Sequence, residues 1–172
     1  VIRPVIEAIV KQYQNSSVGV IGTKATIGSN IYQQKILELC DNIKVPSLAT
    51  PLLAPMIEEG FVKGDISQKI ISNYLSHEKL KNINHLVLAC THYPLIEREI
   101  SKFFSGKVNI IDSSKIVANY ISNELQIKKL LNKKPQKSHH FYVSNYTHSF
   151  ENSTKFFFEK TIKLKEVKLF DH

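Results

Sequence analysis

The chain has 172 residues, enough to bury a real core without disulfides and short enough for one domain or a pair of small lobes. Its two cysteines, Cys40 and Cys90, show no framework spacing, and with no secretory segment they favour a reducing cytoplasm. The longest apolar runs are far too short to span a bilayer, so no membrane partner is expected, while a formal charge of +8 raises the question of an anionic one.

The chain opens on "VIRPVIEAIV", which reads as a strand end running straight into a helix and suggests a truncated N-terminus. Val5, Ile6, Ile9 and Val10 make a helical stripe over residues 4–14, with Pro4 acceptable at its start. "SVGVIG" (17–22) is a buried-type strand. Thr23 and Thr26 come next, and the spacing of Ile27, Ile31, Ile36 and Leu37 predicts one helix reaching about Cys40. A polar break at "DNIK" leads into strand-like "VPSLAT". "PLLAPMIEEGF" and "GDISQKIISNYLSHEKL" predict two helices, the second introduced by Asp65.

"INHLVLAC" is the clearest strand, apolar enough to be covered on both faces. "PLIEREISKFF" follows as a helix, "KVNIID" as a strand, and "SSKIVANYISNELQ" as a helix that its serines can cap. Beyond a lysine-rich linker, "KKLLNKKPQKS", come "HHFYVSN" (strand), "THSFENSTKFFFEK" (helix) and "KEVKLF" (strand). This alternation predicts an α/β fold with a mostly parallel sheet flanked by helices. Many of the lysines fall in the last third without aromatic interleaving, the pattern of a solvated basic face rather than a nucleic-acid site.

Ligands of such sheets bind outside the carboxyl ends of the strands. "GTKAT" and "CTHYP" both fall at such ends. A thiol placed there, ahead of a helix, feels the positive end of the helix dipole, which favours the thiolate. Thr91 adds a hydroxyl and an N–H for a carboxylate, and His92 an acid or base near neutral pH. The plainer reading of Cys90 is a small core hydrophobe. Cys40 falls about fourteen residues along its helix, roughly 20 Å from the loop face, and reads as structural.

"GTKATIG" lacks the phosphate-loop pattern; its Thr23 and Thr26 can hold a small carboxylate or simply cap a helix. Glu58 and Glu59 read as a helix-surface pair, or as the source of a carboxylate that orients His92. The seven histidines form no metal motif: His139 and His140 would point to opposite strand faces. No dinucleotide fingerprint occurs, so neither metal nor cofactor is expected. Ser144, Asn145 or Thr147 can cap the helix after "YVSN".

"GVIGTKATIGSNIY", "LATPLLAPMIEEGF", "LVLACTHYPLIEREI" and "NIIDSSKIVANYI" together resemble the glutamate racemases, within the cofactor-independent aspartate/glutamate racemase family. The likeness runs in order over about residues 1–125 and continues more weakly to the end. It implies inversion of the α-carbon of glutamate by two cysteines working on opposite faces, in the service of peptidoglycan synthesis. By the same likeness Cys90 is the second of these, and His92 assists it with support from Glu58. Thr91, His92, Thr23 and Thr26 then contact substrate.

The family's Asp-Ser-Gly segment and its first Cys-Asn-Thr motif are absent, and Cys40 is misplaced to substitute. The resemblance therefore implies one complete lobe of a two-lobe racemase, residues 7–112, with 1–6 as the tail of the first lobe and 113–172 returning to it. Such a piece is not expected to racemise alone; a homodimer is left open. An aspartate racemase of the same superfamily, a non-catalytic binding module and a Cys-His hydrolase are the alternatives.

Overall fold

The computed structural model describes residues 1–132, 134, 138–158 and 160–169. Helix α1 (Ile2–Gln12) begins earlier than the apolar stripe and turns Val5, Ile6 and Ile9 inward. Pro4 falls in its first turn, where a missing N–H costs nothing. Strand β1 (Val18–Gly22) is buried along its whole length.

The single helix expected after β1 is two. α2 (Lys24–Gly28) is capped by Thr23, whose side chain accepts the Thr26 N–H. α3 (Ile31–Leu39) starts after Asn30, which adopts φ +55°, a left-handed conformation that asparagine tolerates. Thr26 thus lies inside a short helix rather than ahead of a long one.

β2 (Ser47–Ala49) and α4 (Leu53–Glu58) follow, then α5 (Asp65–Leu75). Asp65 belongs to the first turn of α5 but does not cap it; Gly64 holds that place at φ +106°, open only to glycine at low cost. β3 (His85–Leu88) stops two residues before Cys90. A 3-10 turn (Tyr93–Ile96) then leads into α6 (Glu97–Phe103).

β4 (Asn109–Asp112) runs into α7 (Ser113–Ile127). The cap of α7 is Asp112, which accepts the Ser114 N–H at 2.8 Å; Ser113 instead donates to the Leu88 carbonyl at 2.7 Å. β5 (Phe141–Val143), α8 (His148–Phe158) and β6 (Leu164–Glu166) complete the chain. Of the three candidate caps for α8, Thr147 accepts the Phe150 N–H at 3.1 Å. His139 and His140 precede β5, so they do not alternate across a strand, and β6 begins earlier than "KEVKLF", whose Phe170 lies outside the described residues. Part of the lysine-rich linker, 133 and 135–137, lies outside them too.

β1 to β4 form one parallel sheet in the order β2-β1-β3-β4. Alternation along the central strands sorts side chains to two faces. Val18, Val20 and Val87 pack with Val5, Ile9, Ile36 and Ile111 under α1 and α3. Ile21, Leu86 and Leu88 pack with Leu53, Ile57, Ile71 and Ile100 under α4, α5 and α6. β5 and β6 pair in a separate parallel ribbon.

The winding of the sheet creates a place for a ligand. From β1 the chain moves outward to β2, then crosses back over β1 to β3, so the connections leaving β1 and β3 diverge. That divergence opens a crevice at the carboxyl ends of these two strands, the place where open α/β sheets bind ligands.

Candidate active site

The crevice holds both "GTKAT" and "CTHYP". The last β1–β3 register pair is Ile21 with Leu88, and the Ala89 N–H donates to the Ile21 carbonyl at 2.9 Å. Thr23 and Cys90, two residues beyond that pair, therefore leave the sheet side by side. Gly22 makes the approach possible: a Cβ on it would stand 3.3 Å from Thr26 Cβ and 3.4 Å from the Ala89 carbonyl oxygen.

Thr23 and Thr26 face one another. Their hydroxyl oxygens are 3.0 Å apart, and Thr23 Oγ1 also accepts the Thr26 N–H at 3.2 Å. Thr23 is thus a helix cap in the plain sense, and both side chains remain partly open to solvent. α2 has only five residues, so hydroxyls rather than a helix dipole would meet a carboxylate here.

Cys90 is half-buried, with its sulfur 3.7 Å from His92 Nδ1. Burial pushes its thiol up from the ordinary value; N–H groups of His92 and Tyr93 aimed at the sulfur pull the other way, and the charge of Glu58 adds to the rise. This corrects the expectation of a dipole-favoured thiolate. The chain enters a 3-10 turn before α6, so no α-helix starts at the sulfur, and desolvation wins.

The other ring nitrogen of His92, Nε2, is 3.0 Å from Glu58 Oε1. Glu58 ends α4, and the packing of α4 against the turn after Cys90 brings the two together. Glu59, one residue on, is exposed at the end of α4. A carboxylate at Nε2 favours the tautomer with hydrogen there, leaving the Nδ1 lone pair toward sulfur. Thr91 is exposed beside them at the mouth of the loop.

Three neighbours escape a reading of the sequence. Tyr93 and Thr50 are wholly buried beneath Cys90, their hydroxyls 2.7 Å apart. Phe157, from α8, sets its ring edge toward His92 with centroids 6.0 Å apart. Tyr93 belongs to "CTHYP" and Thr50 ends the strand-like "VPSLAT", but nothing in either stretch pairs them.

Cys40 is elsewhere. Its thiol donates to Asn42 Oδ1 at 2.7 Å, and Asn42 Nδ2 donates to Asn15 Oδ1 at 3.0 Å. Those asparagines precede β2 and β1, so Cys40 is at the amino ends of the strands, opposite Cys90. Both cysteines are free. Among the described residues, no group of three or more His, Cys, Asp or Glu could hold a metal ion, and no helix is long and apolar enough to cross a membrane.

No protein-family model matches the chain. Among curated relatives it is similar to the glutamate racemase of Hydrogenobaculum sp. (strain Y04AAS1), 44% identical over 124 residues that cover 72% of this chain and 47% of that protein. The glutamate racemase of Streptococcus pneumoniae (strain Hungary19A-6) is 34% identical over 172 residues, 98% of this chain and 64% of its own. Among solved structures, glutamate racemase from Francisella tularensis subsp. tularensis SCHU S4, in complex with D-glutamate, superposes with a TM-score of 0.83 at 38% identity. That match covers 95% of this chain and 62% of the other. The chain spans about half to just under two thirds of the length of these relatives.

Proposed function

Because the chain belongs to the glutamate racemase family, we propose that it carries one side of a racemase site, in which Cys90 transfers the α-proton of glutamate on one face. The observation that carries this reading is the Cys90–His92–Glu58 line standing beside Thr23 and Thr26 where β1 and β3 diverge.

Each group has a part that its geometry supports. The resting thiol must lose its proton before it can act as a base, and the Nδ1 lone pair of His92 is the acceptor that faces it. Glu58, at Nε2, stabilises the imidazolium that forms. The Cys90 thiolate then takes the α-hydrogen as a proton: the Cα–H bond breaks, an S–H bond forms, and the electron pair stays on the substrate, delocalised toward its carboxylate. Thr23, Thr26 and Thr91 hold the carboxylate region by hydrogen bonds, the stabilisation that replaces a cofactor. Return of a proton on the opposite face needs a second acid, which Cys40 cannot be.

In this reading the second lobe is the four-stranded sheet with its helices, extended back from residue 7 to include Val5 and Ile6 of α1 in its core, and residues 113–172 belong with the first. Apolar side chains left open in the latter, among them Ile121, Leu130 and Tyr142, support a further piece of protein against them. The physiological role is D-glutamate supply for peptidoglycan, in the cytoplasm.

The test joins this chain behind the N-terminal part of the Streptococcus pneumoniae relative and follows conversion of L- to D-glutamate without pyridoxal phosphate. Loss of conversion on Cys90→Ala supports the assignment; conversion unchanged by that substitution overturns it. Rates on aspartate in the same assay decide between the two amino acids.

A further inference from the structure

We propose that Tyr93 is a positioning residue for the Cys90 sulfur: its buried hydroxyl, acting through Thr50, clips the Cys90 loop to the ends of β1 and β2. The starting observation is a pair of hydroxyls hidden from water at the floor of the crevice. Tyr93 and Thr50 are both 0% exposed. Tyr93 Oη is 2.7 Å from Thr50 Oγ1 and 3.1 Å from the Thr50 carbonyl oxygen, and Thr50 Oγ1 donates to the Gly22 carbonyl at 3.2 Å.

Tyr93 has one hydrogen and two acceptors in reach, Thr50 Oγ1 and the Thr50 carbonyl, while Thr50 Oγ1 reaches the Gly22 carbonyl; in the direction Tyr93 to Thr50 to Gly22 each hydroxyl donates once. This direction ties three strand ends in a row. Tyr93 follows β3, Thr50 follows β2, and Gly22 ends β1. The Thr50 N–H adds a second bond to the same Gly22 carbonyl at 2.9 Å.

The clip reaches the sulfur through the backbone. Tyr93 N–H closes the turn onto the Cys90 carbonyl at 3.1 Å, so the orientation of the Tyr93 peptide and the shape of the Cys90–Tyr93 loop are one quantity. The N–H groups of His92 and Tyr93 that favour the thiolate are carried by that loop. A phenylalanine would fill the same apolar volume; the hydroxyl contributes direction, and its burial is tolerated only because Thr50 meets it. Thr50→Val keeps the shape but leaves Tyr93 only the backbone carbonyl at 3.1 Å, so the side-chain link from Tyr93 to Gly22 is lost.

The inference rests on the reading of Cys90 as the proton-transferring base, and a titration of the thiol itself separates the two. In a Cys40→Ser background, so that one thiol reports, the rate of iodoacetamide alkylation is followed against pH for the whole chain. Tyr93→Phe and Thr50→Val are each expected to raise the midpoint by about half a pH unit or more, an approximately threefold smaller thiolate fraction near neutral pH. Thr50→Ser, which keeps the hydroxyl, should return the parent profile.

A purely structural role would lower the melting temperature and leave the midpoint in place. A midpoint unchanged or lowered in folded Tyr93→Phe or Thr50→Val, or no recovery in Thr50→Ser, overturns the proposal. Should Tyr93→Phe not fold, the two Thr50 variants carry the comparison. Alkylation can refute the clip while the racemase reading stands, and Cys90→Ala in the fused protein can refute that reading while the clip stands.

Discussion

Glu58 Oε1 lies 3.0 Å from His92 Nε2, a position from which the carboxylate would act in opposite senses on the ring and on the sulfur in the proposed reaction. In that reaction it would stabilise the imidazolium that forms when His92 takes the hydrogen of the Cys90 thiol. Its negative charge also opposes a second negative charge on the sulfur. The Glu58 side chain is 59% exposed and that of His92 27%, so water screens both effects.

Glu58→Gln separates them. Racemisation in the fused protein should fall by about tenfold, less than the roughly hundredfold or more that a positioned acid or base supplies, because Glu58 assists His92 without itself taking the proton. The Cys90 alkylation midpoint should move down, since the opposing charge has gone. A midpoint that rises would show that Glu58 acts on the sulfur chiefly by holding the loop.

Gly22→Ala tests how closely the two loops approach. The added methyl meets Thr26 Cβ and Cγ2 at 3.3 Å, tighter than ordinary contact, and on its other side the Ala89 carbonyl at 3.4 Å. Thr26 is the softer neighbour and should yield by a few tenths of an ångström. We expect the KM for glutamate to rise severalfold with a smaller change in kcat, because a binding hydroxyl moves while the Cys90–His92 pair stays. Equal kinetic constants for variant and parent would remove Thr26 from the substrate contacts.

The layout of this crevice is readable in the chain only in part. The apolar runs "SVGVIG" and "INHLVLAC" predict two buried strands, and the Cys-Thr-His-Tyr-Pro string marks the loop after the second. Period and composition act locally, which is why such stretches can be read one at a time. The Tyr93–Thr50 bridge spans 43 residues and exists because β2 returns beside β1, a fact of sheet order. The break at Asn30 is hidden because the apolar spacing runs through it, while the left-handed conformation of Asn30 interrupts the backbone between α2 and α3. The state of the Cys90 thiol is misread from sequence for a related reason: the dipole argument needs an α-helix at the sulfur, and a 3-10 turn stands there.

Two buried tyrosines are expected to make stability fall at alkaline pH. Burial pushes Tyr93 and Tyr32 from 10.0 to about 12. A folded-state value above the unfolded one means that the contribution is complete below pH 10 and is lost as pH rises through 12. Denaturant midpoints measured from pH 9 to 12 should therefore fall over that window. Tyr32→Phe and Tyr93→Phe should each make the fall shallower, the second from a lower starting value because it also loses a buried hydrogen bond worth about 1 kcal/mol. A slope unchanged by both substitutions would mean that other groups govern the alkaline transition.

Thr23 and Thr26 share a hydrogen bond but carry different loads, and replacing each by valine tells them apart. Thr23 Oγ1 accepts the N–H of Thr26, so Thr23→Val removes the cap of α2 and should destabilise the chain by about 1 kcal/mol as well as weaken glutamate binding. Thr26→Val leaves that N–H bonded to Thr23 and keeps the side-chain volume. Its stability should fall by less, about 0.5 kcal/mol, because it loses only the partly exposed hydroxyl–hydroxyl bond to Thr23 and leaves the cap itself in place. Any rise in KM for this variant then reports a lost contact to substrate rather than a loosened helix. If Thr23→Val weakens binding and Thr26→Val does not, Thr26 drops out of the carboxylate contact and Thr23 alone remains. If neither does, both threonines are only helix punctuation, and the substrate carboxylate is held by groups outside "GTKAT".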